Sequence, residues 1–318
     1  MIKGSFIISL DFELHWGAVE KWDLSQMQDY FRNTRESIPE VLSLFDKYGI
    51  HATWATVGFL FAKNKKQLES FIPSELPSYS NKNLDYYSYF FTNQVGINED
   101  EDPFHFASSI IEQILRTPNQ ELASHTFTHY YCNESGQNIK QFEEDIQKAQ
   151  EISLANFNTQ LKSLVFPRNQ FNKDYAQVAY ENGIKTIRTN PDVYFWKGNG
   201  AYKPIARAFD TLMPISKPLS FVIDNDVVDG PFNIPASRFL RPYSKKESFI
   251  QKRKLNRILN EMKEAAKNGK CYHLWWHPHN FGHFPKENLI ELEKILKYFE
   301  FLKEKYHFES KSMIEFVE

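Results

Sequence analysis

Two histidines four residues apart are the side chains whose type and spacing most directly indicate chemistry. They are His125 and His129, in the segment His-Thr-Phe-Thr-His that follows a short apolar run. On a helical turn, residues i and i+4 lie on one face, so both imidazoles can reach one point. Such a pair commonly supplies two ligands of one divalent metal ion, which then needs a third, preferably anionic, ligand. The alternative is a pair of partly exposed histidines that binds no ion.

Two carboxylates at the end of the first predicted strand are candidates for that third ligand. Asp11 and Glu13 are two residues apart, so they point the same way if the strand continues. Two adjacent carboxylates repel each other, and a cation between them removes the repulsion. One carboxylate could then bind the metal while the other acts as a general base. The alternative is a pair of solvated acids at a strand end.

Three further side chains follow predicted strands elsewhere in the chain. Arg168 comes after Phe-Pro, and a guanidinium can pair with a carboxylate through two hydrogen bonds and keep it ionised. His277 directly follows an apolar strand, and histidine is the usual general acid near neutral pH. His279 lies two residues further on. Each could instead be an ordinary surface or structural residue.

The elements that must position these side chains alternate between strands and helices. Strands are predicted over residues 5–10, 50–58, 120–124, 163–166, 184–188 and 270–276, and helices over 33–48, 104–116, 138–156, 173–182, 245–268 and 286–305. This α/β alternation, about seven units long, predicts a parallel sheet that forms either a barrel or an open doubly wound sheet. The carboxyl ends of parallel strands share one face, so we expect the candidate residues to form one site.

A single domain is predicted over residues 1–318, with irregular insertions near 63–103 and 190–243. The first insertion contains too many tyrosines and phenylalanines for a disordered tether. It could be a lid over the site or a surface for another subunit, and the sequence does not choose between them.

Composition narrows the class of protein further. Charged residues make up 25% of the chain, and a net charge of −2 argues against general binding of nucleic acid. The two cysteines, Cys132 and Cys271, form no disulfide framework and fit a reducing compartment. The amino terminus shows no signal peptide pattern, and no run of 18 apolar residues predicts a membrane span. We therefore expect a cytoplasmic protein.

The motifs together resemble those of the NodB-homology polysaccharide deacetylases, carbohydrate esterase family 4. That family has an acidic motif after its first strand, a His-Ser/Thr-x-x-His metal motif, an Arg-Pro motif and a late Leu-x-His motif. The corresponding segments here are 9–13, 125–129, 166–169 and 275–277, and segment 52–58 is similar to the family's second strand. The order and rough spacing of the motifs match over most of the chain.

The resemblance implies a distorted, incomplete (β/α) barrel and a divalent metal ion held by one carboxylate and two histidines. Asp11 falls on the family's catalytic base and His277 on its general acid. Arg168 falls on the arginine that positions the base. The metal ligands implied are Glu13, His125 and His129. The ligand set suits zinc, and also iron, cobalt, nickel or manganese.

The sequence departs from the family pattern in two ways. Phe12 stands where most members have the second, metal-binding acid, so Glu13 is expected to take the metal role, with Asp11 as the alternative ligand. The family's fourth motif, with its tryptophan, is not recognisable.

The implied activity is the hydrolytic removal of N-acetyl groups from an amino sugar or a polysaccharide precursor. The predicted partner is therefore a glycan or small molecule, and the sequence does not predict an oligomeric state. The candidate substrate contacts are Tyr130, Trp276, His279 and Arg241, with a backbone N–H near Tyr130 as a donor to the oxyanion. Two alternatives stay open. One is an amidohydrolase of the same fold that cleaves a non-sugar C–N bond, and the other is a carbohydrate-binding protein with a degenerate site.

Overall fold

The strands of the structure lie parallel to one another, as their alternation with helices predicts. The computed structural model describes residues 3–92, 95–191, 193, 218–223 and 229–318, so most of the predicted insertion near 190–243 lies outside the described residues. The strands are β1 (Ser5–Phe12), β2 (Ala52–Thr56), β3 (Gln120–Ser124), β4 (Ser163–Val165), β5 (Thr186–Thr189), β6 (Phe232–Pro235), β7 (Arg238–Phe239), β8 (Cys271–Trp276) and β9 (Glu309–Lys311).

The sheet order is β6-β5-β4-β3-β2-β1-β8-β7, and β9 also pairs with β1. The two edge strands, β6 and β7, are consecutive in the chain and are separated by Ala236 and Ser237. Ala236 donates a backbone hydrogen bond to Thr189 on β5, and Ser237 donates one to His273 on β8. The segment 232–239 therefore bends from one edge of the sheet to the other and brings the two edges together. The predicted distorted barrel of about seven parallel strands is confirmed.

The helices cover the outside of this barrel. They are α1 (Leu24–Lys47), α2 (Lys65–Ser70), α3 (Tyr86–Thr92), α4 (Ser108–Arg116), α5 (Ile139–Phe157), α6 (Lys173–Glu181), α7 (Ser248–Lys267) and α8 (Pro285–Tyr306). In the part of the chain that the structure describes, no helix has both the length and the apolar character that crossing a membrane requires.

Helix α1 begins about nine residues before the predicted start at residue 33. Asp23 caps it by accepting a hydrogen bond from the backbone N–H of Ser25. The buried side chains of Tyr30 and Phe31 belong to this first part of the helix. The surrounding residues 24–29 are mostly polar, and this weakens the apolar periodicity from which the start was predicted.

Alternate residues of β1 face two different apolar cores. Phe6, Ile8 and Leu10 are buried in the large core beneath the helices, whereas Ile7 belongs to a small second cluster with Ala55, Ala123, Val165 and Met313. The two-residue period of a strand places Ser9 and Asp11 on the same side as Ile7, inside the barrel. The strand is buried on both faces, which explains its near-continuous apolar sequence.

The insertion near 63–103 folds onto the barrel. It contains α2 and α3, and its side chains Leu68, Tyr86, Tyr87 and Phe90 are buried in the large core. Tyr86 and its neighbours on α3 therefore pack against the barrel beside the loops that follow β1 and β3.

Gly58 provides a close approach between two of these loops. Its backbone N–H donates to the carbonyl of Thr126, and the N–H of Phe59 donates to the carbonyl of Phe127. A Cβ atom at Gly58 would lie 2.8 Å from the Cα of Phe127 and 2.5 Å from its ring. The turn after β2 thus supports the loop that carries His125 and His129.

We predict that Gly58→Ala lowers the free energy of unfolding by about 1–3 kcal/mol, because the added methyl group overlaps backbone atoms that have no room to move. Urea unfolding followed by circular dichroism measures this change. Gly230→Ala is the matched control, since the nearest atom to its added Cβ is 3.6 Å away, and its effect should stay within about 0.5 kcal/mol. Equal stability of the two variants would contradict the prediction.

Candidate metal and catalytic site

The two histidines of the His-Thr-Phe-Thr-His segment lie on a loop after β3, and the expected helical turn is not present. Thr126 has a φ of 64° and His129 a φ of 58°, both in the left-handed region. The backbone N–H of His125 bonds to the carbonyl of Thr56 at 2.9 Å, which continues the pairing of β3 with β2. The loop then folds back so that both imidazoles meet, with ring centres 5.1 Å apart. The two imidazoles therefore come together as expected, but a folded loop brings them together and not the spacing of a helix.

Asp145, on the inner face of α5, holds this loop from beneath. Its carboxylate accepts hydrogen bonds from the backbone N–H of Phe127 at 2.6 Å, from the N–H of Thr128 at 3.1 Å and from the Thr128 hydroxyl at 2.6 Å. Burial raises the pKa of Asp145 to about 7, and the three hydrogen bonds oppose that shift. The sequence showed no sign of this role, because Asp145 lies in an ordinary amphipathic helix.

Glu13 is the point on which both histidines converge. Its Oε1 lies 3.0 Å from Nε2 of His125 and 3.2 Å from Nε2 of His129. All three residues are buried, and their ligand atoms lie within 4.8 Å of one another. Asp11, Glu13 and His277 form a second group of this kind, which shares Glu13 with the first.

The electrostatic surroundings keep Glu13 ionised. Burial by itself raises the pKa of Glu13, but interactions with His277, His129 and His125 outweigh it and bring the pKa well below its usual range. Burial lowers the pKa of His129, and the neighbouring Glu13 only partly offsets this. The surroundings therefore favour an ionised Glu13 beside a neutral His129. These are the forms of the two side chains that bind a metal ion.

Asp11 is clamped by Arg188. The guanidinium donates from Nη1 to Oδ1 at 2.6 Å and from Nη2 to Oδ2 at 2.7 Å, so the pair is bidentate. Arg188 also donates to the Ser9 hydroxyl and to the Asn169 side chain, and it stacks 4.4 Å over the ring of Trp275. Both charged partners are buried, which makes this the most enclosed ion pair of the site.

Arg188 also sets the ionisation of Asp11. Burial raises the pKa of Asp11, but Arg188, together with His125 and His277, brings it below the usual value. Asp11 is therefore a carboxylate whose two oxygens are held in a defined orientation.

The expected pairing of Arg168 with Asp11 is wrong. Arg168 follows β4 in a left-handed turn (φ 53°) and bonds to Glu20, while its guanidinium stacks 4.4 Å over the ring of Tyr131. It lies past the end of its strand, at the rim of the cavity. Arg188 lies within β5, on the face that points into the barrel, and so reaches Asp11.

A signal for Arg188 was present in the sequence. It stands in the buried strand Thr-Ile-Arg-Thr, and a charged side chain in a buried strand needs a partner of opposite charge. Its partner could not be read from the sequence, because Asp11 lies on β1, and several strands separate the two in the sheet order.

His277 lies between the two carboxylates. Its Nε2 is 3.7 Å from Oδ2 of Asp11 and 3.7 Å from Oε1 of Glu13, and its side chain is 25% exposed. Its ring stacks on His279, with ring centres 4.8 Å apart. Burial lowers the pKa of His279 to about 3, which keeps that ring neutral.

These residues open on one cavity of about 290 Å³. Among the predicted site residues, it is lined by Asp11, Glu13, His129, Arg168, His277 and His279. Trp22, Phe239 and Asn169 add two aromatic walls and an amide that the sequence had not indicated. A smaller cavity of about 20 Å³ between α7 and α8 does not include the chemical residues.

Three predicted substrate contacts lie away from this cavity. The side chain of Tyr130 is buried and donates to Gln137, and its backbone N–H is already bonded to the Thr126 hydroxyl at 2.6 Å. Trp276 is fully buried and stacks on Phe281 beneath the helices. Arg241 pairs with Glu247. The prediction is corrected for all three: alternation along β8 turns Trp276 outward, and local partners occupy the other two.

Comparisons with known proteins identify the family of this chain. A family model described as polysaccharide deacetylase matches residues 25–187, just over half of the chain. The chain therefore belongs to the polysaccharide deacetylase family, as the motifs predicted. The matched stretch contains His125 and His129, whereas Asp11, Glu13 and Arg188 lie outside it. No match was found among curated protein sequences.

Similar solved structures agree in fold. A candidate polysaccharide deacetylase from Mycobacterium smegmatis has a TM-score of 0.59 and 11% identity, with 99% of this chain and 88% of that chain covered. One from Pseudomonas aeruginosa PAO1 has a TM-score of 0.56 and 10% identity, with 98% and 88% covered. The 4-α-glucanotransferase of Thermococcus litoralis has a TM-score of 0.51 and 9% identity, with 93% and 38% covered. Likeness at these identities shows the fold alone.

We predict that Arg188→Met lowers the free energy of unfolding by about 3–5 kcal/mol, because it leaves the buried Asp11 carboxylate unpaired. The loss should be larger at pH 8 than at pH 5. Without Arg188, burial raises the pKa of Asp11, so protonation at low pH removes the uncompensated charge. Urea unfolding at the two pH values measures both effects.

Arg168→Met is the control for this prediction, since the Arg168 side chain is 30% exposed. Its loss should be smaller than that of Arg188→Met, because the Arg168 side chain keeps access to solvent whereas both partners of the Arg188–Asp11 pair are buried. A larger loss for Arg168→Met than for Arg188→Met would show that the clamp on Asp11 has been assigned to the wrong residue.

We predict that Asp145→Asn weakens Zn²⁺ binding by about 10–100-fold. The amide N–H₂ group of the asparagine would face the backbone N–H of Thr128, and the repulsion between the two donors would displace the loop that carries His125 and His129. Isothermal titration calorimetry measures the affinity. Glu151→Gln, at an exposed position on the same helix, should bind as the parent protein does. Unchanged affinity in Asp145→Asn would mean that the loop does not depend on this carboxylate.

Proposed function

We propose that this protein is a metal-dependent hydrolase that removes N-acetyl groups from an amino sugar or a polysaccharide precursor. One observation carries the proposal: a carboxylate–histidine cluster, a clamped carboxylate and a half-buried histidine meet at one cavity. His125 and His129 both lie within hydrogen-bonding distance of Glu13. Asp11 and His277 are next to this cluster, with 3.7 Å between Oδ2 of Asp11 and Nε2 of His277. Membership of the polysaccharide deacetylase family supports the same reaction.

The residues around Glu13 fit a divalent metal ion. One carboxylate oxygen and two imidazole nitrogens converge on a point beside the cavity, and three protein ligands leave positions open for other molecules. When bound, such an ion supplies Lewis-acid activation of water and of the acyl carbonyl group. The donor set suits zinc, and also iron, cobalt, nickel or manganese.

Glu13 is the carboxylate proposed as the metal ligand, and Asp11 is the proposed base. The Nε2 atoms of His125 and His129 lie 3.0 and 3.2 Å from Oε1 of Glu13. Both oxygens of Asp11, in contrast, accept hydrogen bonds from Arg188. The clamp leaves Asp11 ionised and oriented, with a further lone pair on Oδ2 towards His277. In the proposed reaction Asp11 accepts the proton of the attacking water.

His277 is the proposed general acid. It reaches both carboxylates at 3.7 Å and remains partly exposed to the cavity, where the leaving amine would lie. The C–N bond of the acetamido group breaks, His277 delivers a proton to the nitrogen, and water provides the oxygen of the released acetate. The products are acetate and a free amino group.

The cavity walls suit a small sugar-containing substrate. Trp22 and Phe239 offer aromatic faces, while Lys21, Asn169 and Asn280 offer polar groups. A cavity of about 290 Å³ is at the lower end of the range for small-ligand sites. A soluble or carrier-linked amino-sugar intermediate is therefore proposed as the substrate, and a cytoplasmic location stays a prediction.

The test combines metal analysis with acetate release. We expect about one divalent ion per chain in the parent protein, lost in Glu13→Ala and His129→Ala, with acetate released from N-acetylglucosamine or a nucleotide-linked form of it. His277→Ala should keep the metal and lose activity by about 10²–10⁴-fold, as expected for a general acid. Mass spectrometry and an enzymatic acetate assay measure the two quantities.

Glu293→Gln, on the outer surface of α8, is the control and should keep both metal and activity. In the described residues, Glu293 pairs only with Lys47, Tyr48 and Lys297, which lie away from the cavity. A parent protein that binds metal, releases no acetate and cleaves a cyclic imide or ureide would refute the deacetylase proposal in favour of the amidohydrolase alternative. Tight binding of glycans without any turnover would favour the binding protein.

A further inference from the structure

A buried chain of hydrogen bonds runs from His129 to the rim of the cavity. Nδ1 of His129 lies 2.9 Å from the Tyr131 hydroxyl, and this hydroxyl lies 2.8 Å from the Tyr86 hydroxyl. Tyr86 donates to Oε2 of Glu20 at 2.8 Å, and the other oxygen of Glu20 accepts from Arg168. We call Glu20, Tyr86, Tyr131 and His129 the tyrosine chain. Both tyrosine side chains are buried.

The carboxylate at one end determines the direction of every bond in the tyrosine chain. An ionised Glu20 can only accept, so the single proton of the Tyr86 hydroxyl is used on it. The Tyr86 oxygen must then accept the proton of Tyr131. The Tyr131 oxygen, having donated its proton, can only accept from Nδ1 of His129.

Nδ1 of His129 therefore carries a hydrogen, and the neutral ring has its lone pair on Nε2. That lone pair points at Oε1 of Glu13, 3.2 Å away, which is also an acceptor. Two acceptors at this distance repel each other unless a proton or a metal ion lies between them. The tyrosine chain thus prepares Nε2 of His129 to bind a positive ion.

Arg168 acts at the far end of the tyrosine chain. Its ion pair keeps Glu20 charged, and the pKa of Glu20 lies below the usual value although burial raises it, because Tyr86 and Arg168 stabilise the carboxylate. The guanidinium also lies 4.4 Å over the ring of Tyr131. Among the residues that the structure describes, Arg168 therefore contacts two members of the tyrosine chain and has no ion pair with Asp11.

The insertion near 63–103 supplies an essential member of the tyrosine chain. Tyr86 comes from α3, and its ring lies parallel to that of His129 with centres 5.8 Å apart. His125 differs, because its Nδ1 is buried and has no hydrogen-bond partner among the described residues. The two histidines are thus held in different ways, and only His129 is tied to the insertion.

We propose that Arg168, Glu20, Tyr86 and Tyr131 are positioning residues that hold His129 in the tautomer that binds a divalent metal ion. The inference rests on the proposed metal site, but it does not depend on which bond the enzyme cleaves. It assigns Arg168 a role at the metal site instead of at the base, and it makes the insertion a structural part of the site.

The test uses Tyr131→Phe, which removes the hydroxyl that accepts from His129 and keeps the ring. Nitrogen-15 NMR of the histidine side chains in metal-free protein reports the tautomer, and calorimetric titration with Zn²⁺ reports the affinity. We expect the Nδ1–H form of His129 in the parent protein and a mixture of tautomers in the variant. Zn²⁺ affinity should fall by about 10–100-fold, as is usual when a partner of a metal-binding histidine is removed.

Tyr87→Phe is the matched control. Tyr87 is buried on the same helix as Tyr86, and its hydroxyl has no hydrogen-bond partner in the described part of the chain. This variant should keep both the tautomer and the affinity of the parent. Should Tyr131→Phe fail to fold in thermal unfolding, Tyr86→Phe replaces it, because it removes the group that makes Tyr131 donate away from His129.

Two results would overturn the inference. One is an Nε2–H tautomer of His129 in the parent protein, and the other is a loss of Zn²⁺ affinity in Tyr131→Phe no greater than in Tyr87→Phe. Neither measurement involves turnover. A protein that shows the expected tautomer and affinities but releases no acetate would therefore refute the deacetylase proposal and leave this inference in place.

Discussion

The burial of two carboxylates at the open end of the barrel is the constraint on which the site depends. Asp11 and Glu13 are each almost completely removed from solvent. A buried carboxylate is costly unless charges or hydrogen-bond donors compensate it. The surrounding residues compensate the two carboxylates in different ways. Arg188 pairs with Asp11, whereas two histidines face Glu13.

These different surroundings suit the two carboxylates to different proposed roles, Asp11 as the base and Glu13 as the metal ligand. Asp11 receives a permanent cation, since Arg188 is charged at every physiological pH, and this favours a carboxylate that takes and releases protons without leaving its position. Glu13 faces two imidazoles, whose ring nitrogens could bind a metal ion together with its carboxylate. The third acid, Glu20, sits further out with Arg168 and connects the rim of the cavity to His129 through the tyrosine chain.

Much of the fold followed from local patterns. The apolar periodicity located most helices and strands to within a few residues, because in a parallel barrel each strand is buried on both faces and each helix on one. The start of α1 was missed because its first turns are mostly polar. Residue types also identified Glu13, His125, His129 and His277 as neighbours, since each follows a strand and those ends share one face.

What the sequence determined by itself is the set of chemical groups and the end of the barrel where they gather. Residue type and a position after a strand are local properties, so they can be read along the chain. Only the tertiary structure decided the pairing: that Arg188 and not Arg168 meets Asp11, and that Tyr86 from the insertion meets Tyr131. Such pairs depend on the stagger and closure of the barrel, which bring together residues far apart in the chain and leave no mark on either one alone.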